Sequence, residues 1–200
     1  MTVALVSGIV RLLSSARARW LGCEPSRRVR IYFANHTSHL DAVVLWAALP
    51  PDVRDQARPV AARDYWLKSR LRRFLAIRVF NAVLIERQKV TAHDHPLIPL
   101  FAALDEGHSL ILFPEGGRSD GPEPQPFKSG LYHLARSRPE VELIPVYLEN
   151  LNRVLPKGEM LPVPLLGSVT IGSPVQIHPA ESKADFLKRA RQALWDLHLT

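Results

Sequence analysis

Short runs rich in β-branched and aromatic residues alternate along this chain with amphipathic stretches, and that alternation restricts the fold more than any other feature. Arg30–Ala34, Pro59–Ala62, Val79–Ile85, Ser109–Phe113 and Val141–Leu148 read as strands. Between or after them, residues 42–49, 64–76, 95–105, 127–136 and 182–197 read as helices, the first closed by Pro50-Pro51. Leu165–Ile177 is expected to hold further strands, and residues 149–164 read as irregular and Pro-rich. Pro145 inside a strand signals a sheet edge or a bulge. The expected fold is α/β: a single layered domain with a largely parallel central sheet flanked by helices. The 200 residues suit one such domain, and 46% hydrophobic against 22% charged content argues against disorder.

A formal net charge of +7 points to an anionic partner. A membrane surface, a phosphorylated small molecule or an acidic carrier protein would serve. Nucleic acid is not expected, because no helix-turn-helix, zinc finger or aromatic RNA-binding signature is present. Cys23 is the one cysteine, so no intramolecular disulfide forms, and a reducing compartment is the natural reading. No apolar run approaches the ~20 residues that span a bilayer as a helix.

Residues 2–13 carry Val3, Leu5, Val6, Ile9, Val10, Leu12 and Leu13, with Arg17, Arg19 and Trp20 beyond. This pattern fits an amphipathic helix lying in a membrane interface, or an ordinary helix packed on the domain. Ala16-Arg17-Ala18 loosely resembles a signal cleavage site, but no cationic region follows Met1. The 64–76 stretch is strongly basic through Lys68, Arg70, Arg72 and Arg73. Such a run serves as a solvated face or, beside Tyr65 and Trp66, as a surface for a membrane or an acidic carrier.

The chemistry concentrates in Asn35-His36-Thr37-Ser38-His39-Leu40-Asp41, between the first strand and the first helix. Asp41 there can fix the tautomer of His36 and leave the other ring nitrogen as a proton acceptor. The same two residues also suit a capped helix start. No Gly-x-Ser-x-Gly elbow surrounds Ser38, so the simpler chemistry is a hydroxyl, deprotonated by His36, attacking an already activated acyl group. The glycines of the 114–122 loop allow a backbone to approach a ligand closely. The His36/Asp41 turn, Glu86-Arg87 and the 114–119 loop all follow expected strands, so they can converge on one rim of the sheet. His36, His39, His93 and His95 superficially resemble a metal centre, but the His-x-His-x-Asp-His order is missing and no cysteine ligand is available. Asn35-His36-Thr37 also spells a glycosylation sequon, which would block that rim.

Taken in order, the motifs resemble the glycerolipid acyltransferases, the superfamily of 1-acylglycerol-3-phosphate and glycerol-3-phosphate acyltransferases. Residues 35–41 match its Asn-His-x-Ser-x-x-Asp motif, and Val83-Leu84-Ile85-Glu86-Arg87 is similar to its apolar strand followed by x-Arg. Phe113-Pro114-Glu115-Gly116-Gly117-Arg118-Ser119 resembles Phe-Pro-Glu-Gly-Thr-Arg-Ser, with Gly117 in place of Thr. Phe127-Lys128-Ser129-Gly130 and Leu143-Ile144-Pro145-Val146 complete the set.

The resemblance implies acyl transfer from an acyl-CoA or acyl carrier protein thioester to a lysophospholipid or glycerol phosphate hydroxyl. No cofactor is expected beyond that co-substrate. It makes His36 the general base, Asp41 its orienter, and Arg87 and Arg118 holders of the acceptor's phosphate. Glu115 and Gly116 would shape the pocket, Gly116 through its backbone N–H, and Ser38 and Lys128 complete the expected substrate-binding set. Residues 1–26 become a helix and connector for membrane attachment, and 27–200 the catalytic domain. The protein would then be cytoplasmic, peripheral at the inner face of the membrane. Rival readings are acylation of an aminoacylated lyso-lipid, transacylation between phospholipids, and a non-catalytic basic membrane-binding module.

Overall fold

The computed structural model describes residues 8, 17–38, 40–86, 95–119, 121, 123–149 and 167–200. These form a seven-stranded sheet in the order β1-β7-β6-β2-β5-β3-β4. The strands are β1 (Arg17–Trp20), β2 (Arg30–Ala34), β3 (Ala57–Ala62), β4 (Val83–Ile85), β5 (Ser109–Leu112), β6 (Glu142–Glu149) and β7 (Ser168–Ile171). β2 to β6 run parallel to one another, while β7 pairs antiparallel to β6 and β1 parallel to β7. The largely parallel α/β layering expected from the alternation is therefore present. Every residue of β2 is buried, as a central parallel strand covered on both faces requires.

Helices cover both faces. Tyr32, Ile111 and Ile144 join a core beneath α1 (Asp41–Ala48) and the short α2 (Pro51–Arg54). Ile31, Leu110 and Leu143 point the other way, into a core with α5 (Ile98–Asp105), α6 (Gly130–Ser137) and α7 (Lys183–Trp195). Neighbouring residues of one strand thus feed opposite cores, the period of two expected of a pleated strand.

Several expectations are corrected. Residues 17–20, expected in the tail of an N-terminal element, form the edge strand β1, so the sheet begins ahead of residue 27. The helix expected over 2–13 lies outside the described residues apart from Gly8, as do most of 149–164. The 64–76 helix is two short ones, α3 (Arg63–Trp66) and α4 (Arg70–Phe74), because Ser69 starts the second by accepting the Arg72 N–H at 3.2 Å. A π-helical turn, Leu75–Val79, follows α4. Val79 thus ends that turn, the Phe80 N–H caps it by donating to the Leu75 carbonyl at 2.9 Å, and Asn81 takes a left-handed φ of 46° before β4.

Pro145 lies inside the sheet, not at its edge. β6 keeps register with β2 at Phe33↔Pro145. On the β7 side the pairing Val146↔Ile171 changes by one residue to Leu143↔Val175 beyond Gly172, which is a bulge beside the proline. The Gly172 N–H donates to the Pro145 carbonyl at 2.9 Å, but Pro145 has no N–H to return. The Cys23 thiol replaces it, donating to the Gly172 carbonyl at 3.2 Å.

Candidate active site

Where β2 ends, Asn35 lets the backbone leave the sheet without breaking the ladder. Its side-chain amide donates to the Leu148 carbonyl at 2.9 Å and accepts the Leu148 N–H at 2.7 Å, standing in for one more peptide unit. The freed backbone turns through Thr37 and Ser38 into α1. Asp41, fully buried at the start of that helix, folds its carboxylate back over the turn. Its Oδ2 accepts from the Thr37 N–H at 2.7 Å, the Ser38 N–H at 2.8 Å and His36 Nδ1 at 2.8 Å. A carboxylate oxygen receiving backbone donors makes Nδ1 the protonated nitrogen and Nε2 the acceptor. The His36 ring stacks on Phe113, with centroids 4.4 Å apart and planes at 26°.

The 113–119 loop, which follows β5, is tied to the His36 backbone on both sides. Glu115 Oε1 accepts the His36 N–H at 2.7 Å, and Oε2 accepts the Gln125 N–H at 2.7 Å. The Ser119 N–H donates to the His36 carbonyl at 2.8 Å. Burial raises the Glu115 carboxyl above its ordinary value, and the two backbone N–H donors counter part of that rise. Glu115 thus clamps two loops together, one oxygen on each.

Gly116 lines the cavity, but its N–H is engaged elsewhere. Its N–H is taken up by the Phe113 carbonyl at 3.0 Å, so it does not point at a ligand. At φ 70° it occupies the left-handed region, and a Cβ there would stand 2.6 Å from both Cε and Nζ of Lys128. The missing side chain makes room for that lysine. The Lys128 N–H, donating to the Pro114 carbonyl at 2.8 Å, fixes its backbone against the same loop.

β3 and β5 are paired only as far as Pro59↔Ile111; beyond it β3 continues to Ala62 against β4 alone. The sheet splits there, and a cavity of about 650 Å³ occupies the split. His36, Gly116, Arg118 and Lys128 line it, beside Glu86 at the end of β4. Its apolar wall draws on both cores: Val43, Trp66 and Phe80 from one, Leu100, Leu112 and Leu131 from the other. The ends of β2, β3, β4 and β5 therefore converge on one rim. Of the expected site residues, Ser38 and Glu115 are buried beside the cavity without lining it, and Arg87 lies outside the described residues. Asn35 and Phe113 were missed as supports of His36; the signal for Asn35 was an amide-bearing side chain immediately after a buried strand. Among the described residues no cluster of histidine, cysteine and carboxylate side chains suits a metal ion.

This chain matches the acyltransferase family model over residues 23–149. It is 28% identical over 170 residues to a 1-acyl-sn-glycerol-3-phosphate acyltransferase of Limnanthes alba, covering 80% of this chain and 56% of that protein. The same-named protein of Limnanthes douglasii is 27% identical over the same length and shares. The chain thus spans little more than half the length of the curated relatives it matches. Its fold resembles that of the 1-acyl-sn-glycerophosphate (LPA) acyltransferase PlsC from Thermotoga maritima. The TM-score is 0.72 at 21% identity, covering 98% of this chain and 79% of that one. With the family model matched over more than half of its length, this chain belongs to the acyltransferase family.

Proposed function

We propose that this protein transfers a fatty acyl group from an acyl-CoA or acyl carrier protein thioester to the free hydroxyl of a lysophospholipid. The acceptor that best fits is 1-acylglycerol-3-phosphate, giving phosphatidic acid. His36 Nε2 takes the proton of the acceptor hydroxyl as its oxygen attacks the thioester carbonyl. A C–O bond forms, the C–S bond breaks, and the proton passes from His36 to the departing thiolate. Asp41 holds the imidazole and stabilises its cationic form between those steps. Arg118 and Lys128, with Arg87 on motif grounds, bind the acceptor's phosphate; the apolar wall accommodates acyl chain. The thioester is a co-substrate, and the chemistry requires no cofactor or metal.

The observation that carries this reading is the His36–Asp41 pair opening into the same cavity as two cationic side chains and an apolar wall. The non-catalytic rival accounts for the charge but gives no purpose to a histidine held by a buried carboxylate. The test incubates the pure protein with radiolabelled acyl-CoA and a panel of lyso-lipids, phosphate-bearing and not, and identifies products by mass spectrometry. Phosphatidic acid formed only with intact His36 supports the reading, and no acylated product from any acceptor or thioester overturns it. The reading places the protein at the inner face of a membrane as a peripheral enzyme. No helix among the described residues is long and apolar enough to cross a membrane.

A further inference from the structure

Residues 63–82 present two faces of different character. Inward, Tyr65, Trp66, Ala76 and Phe80 wall the cavity. Outward, Leu67, Leu71, Phe74 and Ile77 are 36%, 67%, 47% and 43% exposed. Four of the six large apolar side chains exposed among the described residues therefore fall within this one short segment. Leu71, Phe74 and Ile77 follow one another at a spacing of three along α4 and the π-helical turn.

Five cations are set among them: Lys68, Arg70, Arg72, Arg73 and Arg78, all exposed, with no acidic residue from Leu67 to Phe80. None pairs with a carboxylate among the described residues. Arg72 rests over the Tyr65 ring at 4.4 Å. A solvated face accounts for the arginines but not for the leucines and phenylalanine. An acidic carrier protein likewise answers the charge alone. A bilayer with anionic head groups answers both, because apolar side chains enter the acyl boundary while cations remain at the phosphates.

We propose that residues 67–78 seat this protein on an anionic lipid bilayer, Leu71, Phe74 and Ile77 entering it and the five cations meeting its phosphates. The reverse side of the same segment walls the cavity, so docking holds the cavity against the lipid. This inference adds a docking element to the proposed function and does not depend on the acyl-transfer step.

The test is co-sedimentation of the full chain with vesicles of phosphatidylcholine, alone or with phosphatidylglycerol added. Wild type is expected to bind the anionic vesicles. Arg70→Glu/Arg73→Glu is expected to lower that partition by at least about tenfold, given a several-fold contribution per basic residue. Leu71→Ser/Phe74→Ser is expected to lower it further at high salt, where the electrostatic part is screened. All four side chains are exposed, so melting temperatures should hold. A second readout is Leu71→Cys in a Cys23→Ser background, carrying an environment-sensitive dye, whose emission should shift to the blue on anionic vesicles. Wild type that ignores anionic vesicles, variants that bind as wild type does, or a dye that does not shift would each overturn the proposal. So would a charge reversal that lowers binding of acyl carrier protein while leaving vesicle binding intact. A protein that docks through these residues yet acylates nothing would sink the enzymatic reading and leave the docking element standing.

Discussion

The backbone N–H of His36 is held at 2.7 Å by Oε1 of Glu115, a residue 79 positions further along the chain. That contact makes the base and the 113–119 loop one unit, so a change at Glu115 acts through His36. Glu115→Gln keeps one acceptor but turns an amide NH₂ toward one of the two backbone N–H groups. Turnover should fall by about tenfold or more, with the acceptor KM changed less, because positioning of the base is lost before binding is. Steady-state kinetics over a range of acceptor concentrations measure the split.

The same carboxyl predicts a pH dependence of stability. Burial raises its pKa in the folded state, so the folded protein holds that proton more tightly than the unfolded chain does. The stabilisation is complete below the ordinary carboxylate value and is lost as pH rises through the raised one. Melting temperatures of wild type and Glu115→Gln across the acid range should show wild type gaining on the variant as pH falls. A constant gap would show that the carboxyl titrates normally.

His36→Ala and Asp41→Asn should both abolish most thioester-dependent acylation, on the order of 10²–10⁴-fold in kcat. They should differ in stability. His36 is partly exposed, whereas Asp41 Oδ2 accepts three hydrogen bonds in the interior. The asparagine also brings an NH₂ group into that donor-lined site, so Asp41→Asn should cost about 1–3 kcal/mol more in denaturant unfolding. If Arg118 binds the acceptor's phosphate as proposed, Arg118→Ala should instead raise the acceptor KM and leave kcat nearly unchanged, because His36 is untouched.

Much of this was legible in the residues, and what was not has identifiable causes. β2 and β5 announce themselves because a central parallel strand must be apolar on both faces. β1 does not, since Arg17-Ala18-Arg19-Trp20 pairs on one side only and carries no apolar run. The break between α3 and α4 had a local signal in Ser69, overridden by the apolar spacing on either side of it. At the active site, the His36–Asp41 contact spans five residues and could be read from spacing. The engagement of Glu115 by two distant backbone amides could not, because hydrogen-bond partners 79 and 10 residues away depend on the whole fold.

Gly116→Ala tests whether the glycine exists for Lys128. A left-handed φ costs an L-residue roughly 1–2 kcal/mol, and the new Cβ would also push into the lysine's terminal carbons. A modest loss of melting temperature should accompany a higher acceptor KM. In a Lys128→Ala background the steric part should vanish and only the backbone strain remain. Equal costs of Gly116→Ala with and without the lysine would show that the two residues do not press on one another.

The thiol at Gly172 offers a test at the opposite side of the sheet from the cavity's split. Burial raises the Cys23 pKa, so the thiol stays protonated at neutral pH and remains a donor to the Gly172 carbonyl. Its stabilising contribution should hold below the ordinary thiol value and fade as pH rises through the raised one. Cys23→Ala should cost about 1 kcal/mol, the scale of one lost hydrogen bond, while Cys23→Ser should recover most of it. Pro145→Ala supplies the N–H that the ladder lacks, directly opposite Gly172. In the double variant Cys23→Ala/Pro145→Ala, the new N–H should take over from the lost thiol, giving a smaller total cost than the sum of the single changes. Strict additivity in chemical denaturation would mean that the two groups do not share one acceptor.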